Sequence, residues 1–349
     1  MKPSRPTQQT AALWVLSADK TGSTHQCLAL AQALGLDYKQ IKVGFKPWVK
    51  LLVPALMPRS FFGLDRQSIN SLRKQELPQL IILSGARLIN LALYIKVLAK
   101  KQKRNIKVIY IHKPSHRSAE FDAVIAPFYD RYHGKNAITI DTALSHLDEA
   151  KLEQAAKQLD ARFQDYPRPL TLFMLGGKNR AFYFVSAAKL SQDIANFLFY
   201  QQGAIMLVAS RRTPKALLDE LAQRFSDEPR VYIWQDGQEP NPYLALLHLS
   251  QACIVSADSA NMIAEAIAAG KACAIYHLEP KSGLFSKKNK FSLMHEELIA
   301  QQAACWFSPK LDLETYPKKR LDDKIKAIEA LKEMIPELDM NHKHSTKAH

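Results

Sequence analysis

The chain has few cysteines, and their spacing excludes a disulfide framework and a cysteine-based metal site. Cys27, Cys253, Cys273 and Cys305 are scattered, with no Cys-x-x-Cys pair and no histidine at ligand spacing. Isolated cysteines of this kind are typical of small core residues in a reducing compartment. Neither a metal nor a cofactor is therefore predicted.

The sequence also lacks a long hydrophobic run near its start. The apolar run at 11–16 is too short for a signal sequence or a membrane span, and Asp19 and Lys20 follow it closely. We therefore expect a cytoplasmic protein. Its charge is also compatible with peripheral binding to the inner membrane.

Acidic residues are too few to balance the basic ones, and the formal net charge is +15. Such an excess favours an anionic partner: nucleic acid, an acidic membrane surface or a phosphorylated substrate. Part of it, such as the run at 100–104, is explained by solvated surface charge. Nucleic-acid binding rests on charge alone, because no recognition motif is present. No obligatory protein partner is predicted.

Buried strands alternate with helices in both halves of the chain, which predicts two α/β domains with parallel, doubly wound sheets. The proline-flanked stretch YPRP, Tyr166 to Pro169, is the predicted boundary between them. The last helix could dock on either domain. The predicted ranges are a disordered N-terminus at 1–10, an N-terminal domain at 11–166, a C-terminal domain at 167–320, a helix at 321–336 and a disordered tail at 337–349.

Four strand ends in the second half carry residues suited to an anionic ligand. In open α/β sheets, ligands bind where strands end and helices begin. The glycines allow backbone amides to approach a phosphate, and the lysine and arginines add positive charge. The candidates are Gly176, Gly177 and Lys178 after the first strand, Ser210, Arg211 and Arg212 after the second, Asn241 after the third, and Asp258 with Ser259 after the fourth.

Each of these residues also has a purely structural interpretation. The glycines can serve a tight turn, and Ser210 or Thr213 can cap a helix that has Pro214 at its first position. Asn241 is an ordinary N-cap in this interpretation. Asp258 or Ser259 can likewise cap the helix that follows.

That helix contains Glu265, a carboxylate surrounded by alanines. Asn261 and Glu265 lie four residues apart and share one face of the helix. A carboxylate close to packed backbone needs a partner, because an unpaired buried charge is costly. A ligand hydroxyl is one candidate.

The motifs SRRTP at 210–214, NPY at 241–243, DS-x-x-M-x-x-EA-x-x-x-GK at 258–271 and GG at 176–177 resemble a known family. It is named after the plant elongated-mitochondria fission factor, and its bacterial members are regarded as glycosyltransferases. The resemblance extends into the first half, through D-x-x-G-x-x-x-Q at 19–26 and FDAVIAPFYD at 121–130.

The resemblance implies the GT-B fold: two facing Rossmann-like domains with a central cleft, the nucleotide-sugar donor in the C-terminal domain and the acceptor in the N-terminal one. No metal is obligatory in that fold. The helix with Glu265 is also similar to that of the transferase that makes lipid II. By this similarity, Glu265 binds the donor ribose, while Gly176, Arg211 and Ser259 surround the diphosphate.

Glycosyl transfer also needs a base for the acceptor hydroxyl. Asp19 and His25, at the mouth of the first strand, are the predicted catalytic residues, with Asp130 and His133 as second candidates. A turn role for Asp19 and a helix-surface role for His25 are the structural alternatives. The family commonly has Gly-His after the first strand and often has Asp-Pro-Arg where this chain has His112-Lys113-Pro114.

The segment from Phe45 to Phe62 mixes aromatic and basic side chains. Trp48, Phe61 and Phe62 are predicted to contact an anionic bilayer or a lipid-linked acceptor such as a lipopolysaccharide core. The alternative is a loop packed on its own domain.

The sequence thus predicts a metal-independent glycosyltransferase that uses a nucleotide-sugar donor. A nucleotide-sugar epimerase of the same architecture is the nearest enzyme alternative. A non-catalytic, membrane-associated scaffold is the alternative of a different class. Loss of the donor-site residues would mark a scaffold, and Arg211, Arg212, Ser259 and Glu265 are all present.

Overall fold

A computed structural model of the protein describes residues 13–18, 21–177, 179–235, 237, 240–281, 290–312, 316 and 318–340. The chain forms two compact units, one from 1–146 together with 323–349, and the other from 147–322. The predicted disordered N-terminus at 1–10 lies outside the described residues, as do Asp19 and Lys178.

The first unit contains a parallel sheet with the strand order β2-β1-β3-β4-β5-β6 in the described part of the chain. Its strands are β1 (Leu13–Ser17), β2 (Tyr38–Lys42), β3 (Leu80–Leu83), β4 (Lys107–Ile111), β5 (Ala123–Pro127) and β6 (Ala137–Ile140). Its first three α-helices are α1 (Thr21–Ala33), α2 (Arg66–Arg73) and α3 (Ile89–Lys101).

Both faces of this sheet are covered, as the apolar strands of a doubly wound fold require. Successive side chains of a strand point to opposite faces. Leu13 and Val15 of β1 belong to one core cluster together with Cys27 of α1, whereas Trp14 and Leu16 belong to a second cluster that contains residues of α2 and α3. The fully apolar strands of the sequence are therefore buried from both sides.

The last long helix of the chain packs on the first unit, which settles where it docks. Helix α10 (Asp323–Met334) contacts β6 and α1, and Ala327 and Leu331 are buried in the same core cluster as α1. The Asp323 carboxylate accepts hydrogen bonds from the backbone N–H of Asp141 (2.7 Å) and from the backbone N–H (2.8 Å) and hydroxyl of Thr142. Burial raises the pKa of Asp323, and these donors oppose the rise.

The predicted disordered tail begins too early. Residues Glu337–Met340 form a short helix, α11. Leu338 is buried in the core of the first unit, and Glu337 forms an ion pair of 3.1 Å with Lys107. The apolar contact made by Leu338 is what orders these residues. Residues 341–349 lie outside the described part of the chain.

The second unit has the strand order β12-β11-β10-β7-β8-β9 in its described residues, again with parallel pairing. Its strands are β7 (Leu170–Leu175), β8 (Ala204–Ala209), β9 (Val231–Trp234), β10 (Ala252–Ser256), β11 (Ala272–Tyr276) and β12 (Cys305–Trp306). Its helices are α4 (Glu149–Phe163), α5 (Ala187–Tyr200), α6 (Lys215–Arg224), α7 (Tyr243–Leu249), α8 (Ala260–Ala268) and α9 (Lys290–Ala300).

Helix α4 lies in the second unit, so the division between the units precedes it rather than following it at 166. This helix packs against α7 and buries Leu152, Ala156 and Phe163. The ring of Phe163 lies 5.3 Å from that of Tyr232 on β9, edge to face. The prolines of YPRP therefore lie in the connection between α4 and β7, inside one unit.

The predicted fold class is confirmed: the protein is α/β, with two Rossmann-like, doubly wound units in one chain, as in the GT-B fold. The strand order changes direction between β1 and β3 in the first sheet and between β7 and β10 in the second. Ligands of open α/β sheets bind at such points, beyond the carboxyl ends of the strands. No helix in the described part of the chain is long and apolar enough to cross a bilayer.

Replacing Asp323 by Ala should destabilise the first unit, because two backbone amides and one hydroxyl lose their acceptor. We expect a loss of about 2–3 kcal/mol in the free energy of unfolding, measured by urea denaturation. Glu329→Ala, at an exposed position of the same helix, is the matched control and should have little effect. Equal stability of the two variants would show that the Asp323 contacts do not hold α10.

Candidate functional site

The loops that follow β7 and β10 are joined by hydrogen bonds at the point where the strand order of the second sheet changes direction. The N–H of Gly176 donates to Ser256 Oγ (2.8 Å), and the N–H of Gly177 donates to Asp258 Oδ2 (3.0 Å). The Ser256 hydroxyl donates in turn to Asp258 Oδ1 (2.6 Å). A single buried carboxylate therefore connects the two loops.

Glycine is required at both positions because neighbouring groups occupy the space of a side chain. A Cβ at Gly176 would overlap the carboxylate of Asp258, and a Cβ at Gly177 would overlap the backbone of Arg212. Both amides already donate to protein acceptors, so the phosphate contact predicted for these glycines stays a prediction. Lys178, the third residue of that motif, lies outside the described residues.

The loop after β8 presents two arginines. Arg211 and Arg212 are both exposed, whereas Ser210 and Thr213 shape the turn that carries them. Ser210 Oγ lies 3.1 Å from Thr213 Oγ1 and accepts from the N–H of Arg212 (3.3 Å). The two hydroxyl residues thus shape the turn, and the guanidinium groups are the side chains that this loop exposes. The donor contact predicted for Ser210 stays a prediction.

Helix α6 does not begin as the sequence predicted. Pro214 is its N-cap rather than its first residue, and no side chain caps this helix. The Thr213 hydroxyl instead donates to the carbonyl oxygen of Gly176. This contact ties the arginine loop to the glycine loop, so three of the four strand ends of the predicted site are physically linked.

At the start of α8, Asp258 and Ser259 do not act as the capping residues of the structural interpretation. Ser259 occupies the N-cap position, yet its side chain makes no capping hydrogen bond. Asp258 accepts from Gly177 and Ser256 instead. Burial raises the pKa of Asp258, while these hydrogen bonds and the charge of Arg212 oppose the rise.

Glu265 has a partner in the described structure, the phenol of Tyr243. The Tyr243 hydroxyl donates to Glu265 Oε2, which joins the start of α7 to the middle of α8. Burial raises the pKa of Glu265 to about 7, although the hydrogen bond from Tyr243 acts in the opposite direction. Burial, together with the adjacent carboxylate, raises the pKa of Tyr243 well above its usual value.

Asn241 is exposed, and its side chain supports the start of α7. Its Oδ1 accepts from the backbone N–H of Tyr243 (2.9 Å). The N-cap of α7 is Pro242, so Asn241 precedes the N-cap position that the structural interpretation gave it, and its predicted donor contact stays a prediction. The hydrogen bond to Asn241 fixes the backbone of Tyr243, whose side chain reaches Glu265.

A histidine–aspartate pair lies at the carboxyl edge of the first sheet. His112 directly follows β4, and its Nδ1 lies 3.1 Å from Asp130 Oδ2, in the turn after β5. The backbone of His112 is left-handed, with φ of 76°. Left-handed φ values are uncommon for residues other than glycine and concentrate at functional sites.

The other predicted catalytic residues are distributed differently. Asp19 lies outside the described residues. His25 is exposed on α1, with its ring 4.8 Å from that of His146, and His133 is exposed as well. Among the second candidates, Asp130 is the one that is joined to an ionisable partner. The catalytic roles of Asp19 and His25 stay predictions.

Sequence reasoning missed four residues that build these sites. They are His112, Thr213, Tyr243 and Ser256. Two of them carried a signal: His112 directly follows a strand, and Tyr243 completes the NPY motif. The contact of Tyr243 with Glu265 joins two helices and has no signature in the spacing of the sequence.

The sequence model of the family described as mitochondrial fission ELM1 matches residues 21–335. The chain belongs to the mitochondrial fission ELM1 family. The matched range includes the described residues that the sequence predicts for a donor site and both members of the His112–Asp130 pair, but not Asp19.

Two relatives show how far similarity to the ELM1 family extends along the chain. The Rickettsia prowazekii protein RP120 is 27% identical over 92% of this chain and 97% of its own length. The mitochondrial fission protein ELM1 of Arabidopsis thaliana is 29% identical over 56% of this chain and 50% of its own. The similarity to the plant protein is therefore partial, whereas the similarity to the bacterial one spans both units.

A solved structure shares the fold of this ELM1 family member. The UDP-GlcNAc 2-epimerase of Methanocaldococcus jannaschii superposes with a TM-score of 0.51 at 14% identity, over 92% of this chain and 91% of the epimerase. Identity at that level shows a common fold and leaves the activity open.

Replacing Glu265 by Gln should change the pH dependence of stability. The folded-state pKa of about 7 lies above the usual value of 4.5, so the wild type loses stability as pH rises from below 5 through 7. Gln keeps an acceptor for Tyr243 but does not titrate. In thermal unfolding, the free energy of unfolding of the variant, relative to that of the wild type, should increase by about 2 kcal/mol between pH 5 and pH 8.

Glu153→Gln, at an exposed position of α4, is the matched control and should follow the wild-type profile. If the pH profile of Glu265→Gln runs parallel to that of the wild type, the pKa of Glu265 is not raised in the folded protein.

Proposed function

We propose that the protein is a glycosyltransferase that binds a nucleotide-sugar donor at the carboxyl edge of its second sheet. The observation that carries this proposal is the linked set of loops around Asp258, at the switch in strand order between β7 and β10. That set exposes two arginines and the start of a helix beside a half-buried carboxylate on the same helix.

The donor diphosphate would bind between the arginine loop and the start of α8. Arg211 and Arg212 supply charge-assisted hydrogen bonds to phosphate oxygens. The start of α8 offers backbone N–H groups and a positive dipole end, and Ser259 can add a hydroxyl. These groups also stabilise the negative charge that develops on the leaving diphosphate, so the same contacts serve binding and catalysis.

The ribose would bind at Glu265. Its carboxylate accepts from Tyr243, and the two oxygens of a carboxylate can together accept several hydrogen bonds, including those of ribose hydroxyls. Additional donors to this carboxylate would lower its raised pKa, because hydrogen bonds favour the ionised form. In this proposal, Glu265 therefore has two partners, the phenol of Tyr243 and the ribose of the ligand.

For the acceptor base, we propose His112, oriented by Asp130. An ionised carboxylate only accepts hydrogen bonds, so Asp130 holds the proton on Nδ1 and leaves the lone pair of Nε2 available. In a direct displacement, Nε2 takes the proton of the acceptor hydroxyl as its oxygen bonds to the anomeric carbon. The bond from that carbon to the diphosphate oxygen breaks, and the diphosphate leaves with the electron pair.

The acceptor in this proposal is a lipid-linked glycan of the lipopolysaccharide type, reached from the cytoplasmic side of the inner membrane. The basic character of the chain and its interleaved aromatic segment after β2 support an acceptor at an anionic surface. The location and the acceptor class stand together, because a lipid-linked glycan is accessible only at a membrane.

Two alternative functions differ from glycosyl transfer in what the protein would release. A nucleotide-sugar epimerase, the activity named for the Methanocaldococcus jannaschii protein, would bind the same donor and release an epimerised nucleotide sugar. A non-catalytic scaffold, suggested by the fission role in the name of the Arabidopsis protein, would release no product. Analysis of the nucleotide products by mass spectrometry and NMR separates the three.

Nucleotide binding is the first test. A nucleoside diphosphate that binds should raise the melting temperature, since a hundredfold excess over Kd stabilises the folded protein by about 2.7 kcal/mol. Replacing Arg211 and Arg212 together by Ala should weaken both the nucleotide and inorganic pyrophosphate about tenfold or more. Glu265→Ala should weaken the nucleotide alone, because pyrophosphate has no ribose.

Arg224→Ala is the matched control, since Arg224 lies on α6 in a surface ion pair with Glu220. The proposal fails if no nucleotide or nucleotide sugar in a broad panel shifts the melting temperature. Equal loss of nucleotide and pyrophosphate affinity in Glu265→Ala would remove the ribose assignment and leave the diphosphate assignment intact.

The base is tested by turnover with water as the acceptor. His112→Ala should lower the rate of nucleoside diphosphate release from the bound nucleotide sugar about 100-fold or more while the donor Kd stays unchanged. Asp130→Asn should lower the rate less and shift its pH profile. His25→Ala and His133→Ala test the other predicted bases, and His248→Ala, near the end of α7, is the matched control. A full rate in His112→Ala, with a loss in His25→Ala, would transfer the role to His25.

A further inference from the structure

The segment between β2 and α2 exposes large apolar side chains that a water-soluble surface normally hides. This segment contains two short 3-10 helices, Pro47–Leu51 and Pro54–Leu56. Leu51 is 88% exposed, Leu56 is 83% exposed, and Val53 between them is 58% exposed. A concentration of exposed leucine and valine within a few residues marks an interaction site.

Two aromatic rings extend the same surface. Trp48 and Phe62 are both exposed and lie edge to face, with ring centroids 5.3 Å apart. The apolar tip is defined here as Trp48, Leu51, Leu52, Val53, Leu56 and Phe62. Tryptophan is the side chain most suited to the boundary between hydrocarbon and headgroups.

Phe61, which the sequence placed in the same surface, is directed differently. Its ring packs against the core of the first unit and lies edge to face with Tyr94, at 5.2 Å between centroids. The guanidinium group of Arg73 lies over it. Phe61 is therefore an anchor of the segment, and the exposed leucines take the place predicted for it.

The backbone beneath the apolar tip is held from the side of the protein core. The buried amide of Asn90 donates from Nδ2 to the carbonyl oxygens of Pro54 and Met57, both at 2.9 Å. Arg87 donates to the carbonyl oxygen of Lys50 (3.2 Å). Val49 and Met57 fill the inward positions. Leu51 and Leu56 thus cannot turn inward without breaking these contacts.

The surroundings of the apolar tip are strongly basic. Residues 38–74 contain one acidic residue, Asp65, whose carboxylate accepts from the N–H of Ser68 and caps α2. The basic residues of the same range number eight: Lys39, Lys42, Lys46, Lys50, Arg59, Arg66, Arg73 and Lys74. One of them, Arg59, is ion-paired with Glu120.

From this combination we infer that the apolar tip inserts into an anionic lipid bilayer, with Lys46 and Lys50 at the headgroups. A bilayer of that kind offers hydrocarbon for Leu51 and Leu56 and negative charge for the lysines around them. A second copy of this chain would bring two basic surfaces together, which electrostatic repulsion disfavours. The insertion does not depend on glycosyl transfer, and it would hold for a scaffold as well.

Cosedimentation with vesicles tests the inference. The full chain should bind vesicles of phosphatidylcholine and phosphatidylglycerol in equal parts, and bind pure phosphatidylcholine vesicles weakly. Replacing Leu51 and Leu56 together by Ser should reduce binding to the anionic vesicles about tenfold or more. The melting temperature should stay unchanged because both side chains are exposed. Phe199→Ser, an 81% exposed position in the second unit, is the matched control.

The fluorescence of Trp48 reports directly on insertion of the apolar tip. In a Trp306→Phe background, Trp48 is the exposed tryptophan, because Trp14 and Trp234 are buried. Vesicle binding should shift its emission to shorter wavelength and make it sensitive to quenching by lipids with brominated chains. Lys46→Gln combined with Lys50→Gln should weaken binding to anionic vesicles and reduce its salt dependence.

Three results would overturn the inference. The first is equal vesicle binding by the wild type and by the protein with both Leu51→Ser and Leu56→Ser. The second is vesicle binding without quenching of Trp48. The third is a dimer that sedimentation detects for the wild type but not for the double variant. The last would assign the apolar tip to a second copy of the chain. Nucleotide affinity of the double variant, measured in parallel without lipid, separates this failure from a failure of the proposed donor site.

Discussion

The buried carboxylate of Asp258 is the group on which the arrangement of the second unit's edge depends. It receives the N–H of Gly177 and the hydroxyl of Ser256, and it fills the space that a side chain at Gly176 would need. The glycine loop thereby lies close to the start of α8. Thr213 then joins the arginine loop to the same glycine loop. Three loops from three strands are held in one geometry by short side chains.

The same edge carries a second carboxylate with a different task. Asp258 accepts hydrogen bonds from groups of two adjoining loops, whereas Glu265 accepts from the phenol of Tyr243 and has a pKa raised to about 7 by burial. A carboxyl group in that condition gains from further hydrogen-bond donors. One carboxylate thus organises the loops, and the other is suited to receive a ligand. The chemistry of the site is decided by this difference in partners, since the two side chains are nearly alike.

The first unit has two notable features, one at the carboxyl edge of its sheet and one in the segment after β2. Its carboxyl edge holds the His112–Asp130 pair, in which an unusual backbone conformation and a carboxylate orient the imidazole. The segment after β2 holds the apolar tip, supported by Asn90 and Arg87. In the first feature Asp130 binds a ring nitrogen of His112. In the second, Asn90 and Arg87 bind backbone carbonyl oxygens. The proposed base and the proposed membrane contact thus belong to the same unit, and together they would suit an acceptor carried by lipid.

The sequence by itself determined the two parallel sheets, because uninterrupted apolar strands alternating with helices can be buried only from both faces. It also placed the residues proposed to bind the donor at strand ends, since each strand end can be recognised from the local sequence. Only the tertiary structure paired Tyr243 with Glu265, His112 with Asp130 and Asp323 with the end of β6, because these contacts join residues far apart in sequence. Which apolar side chains of the segment after β2 face outward was likewise decided by packing: Phe61 found a place on the core, and Leu51 and Leu56 did not.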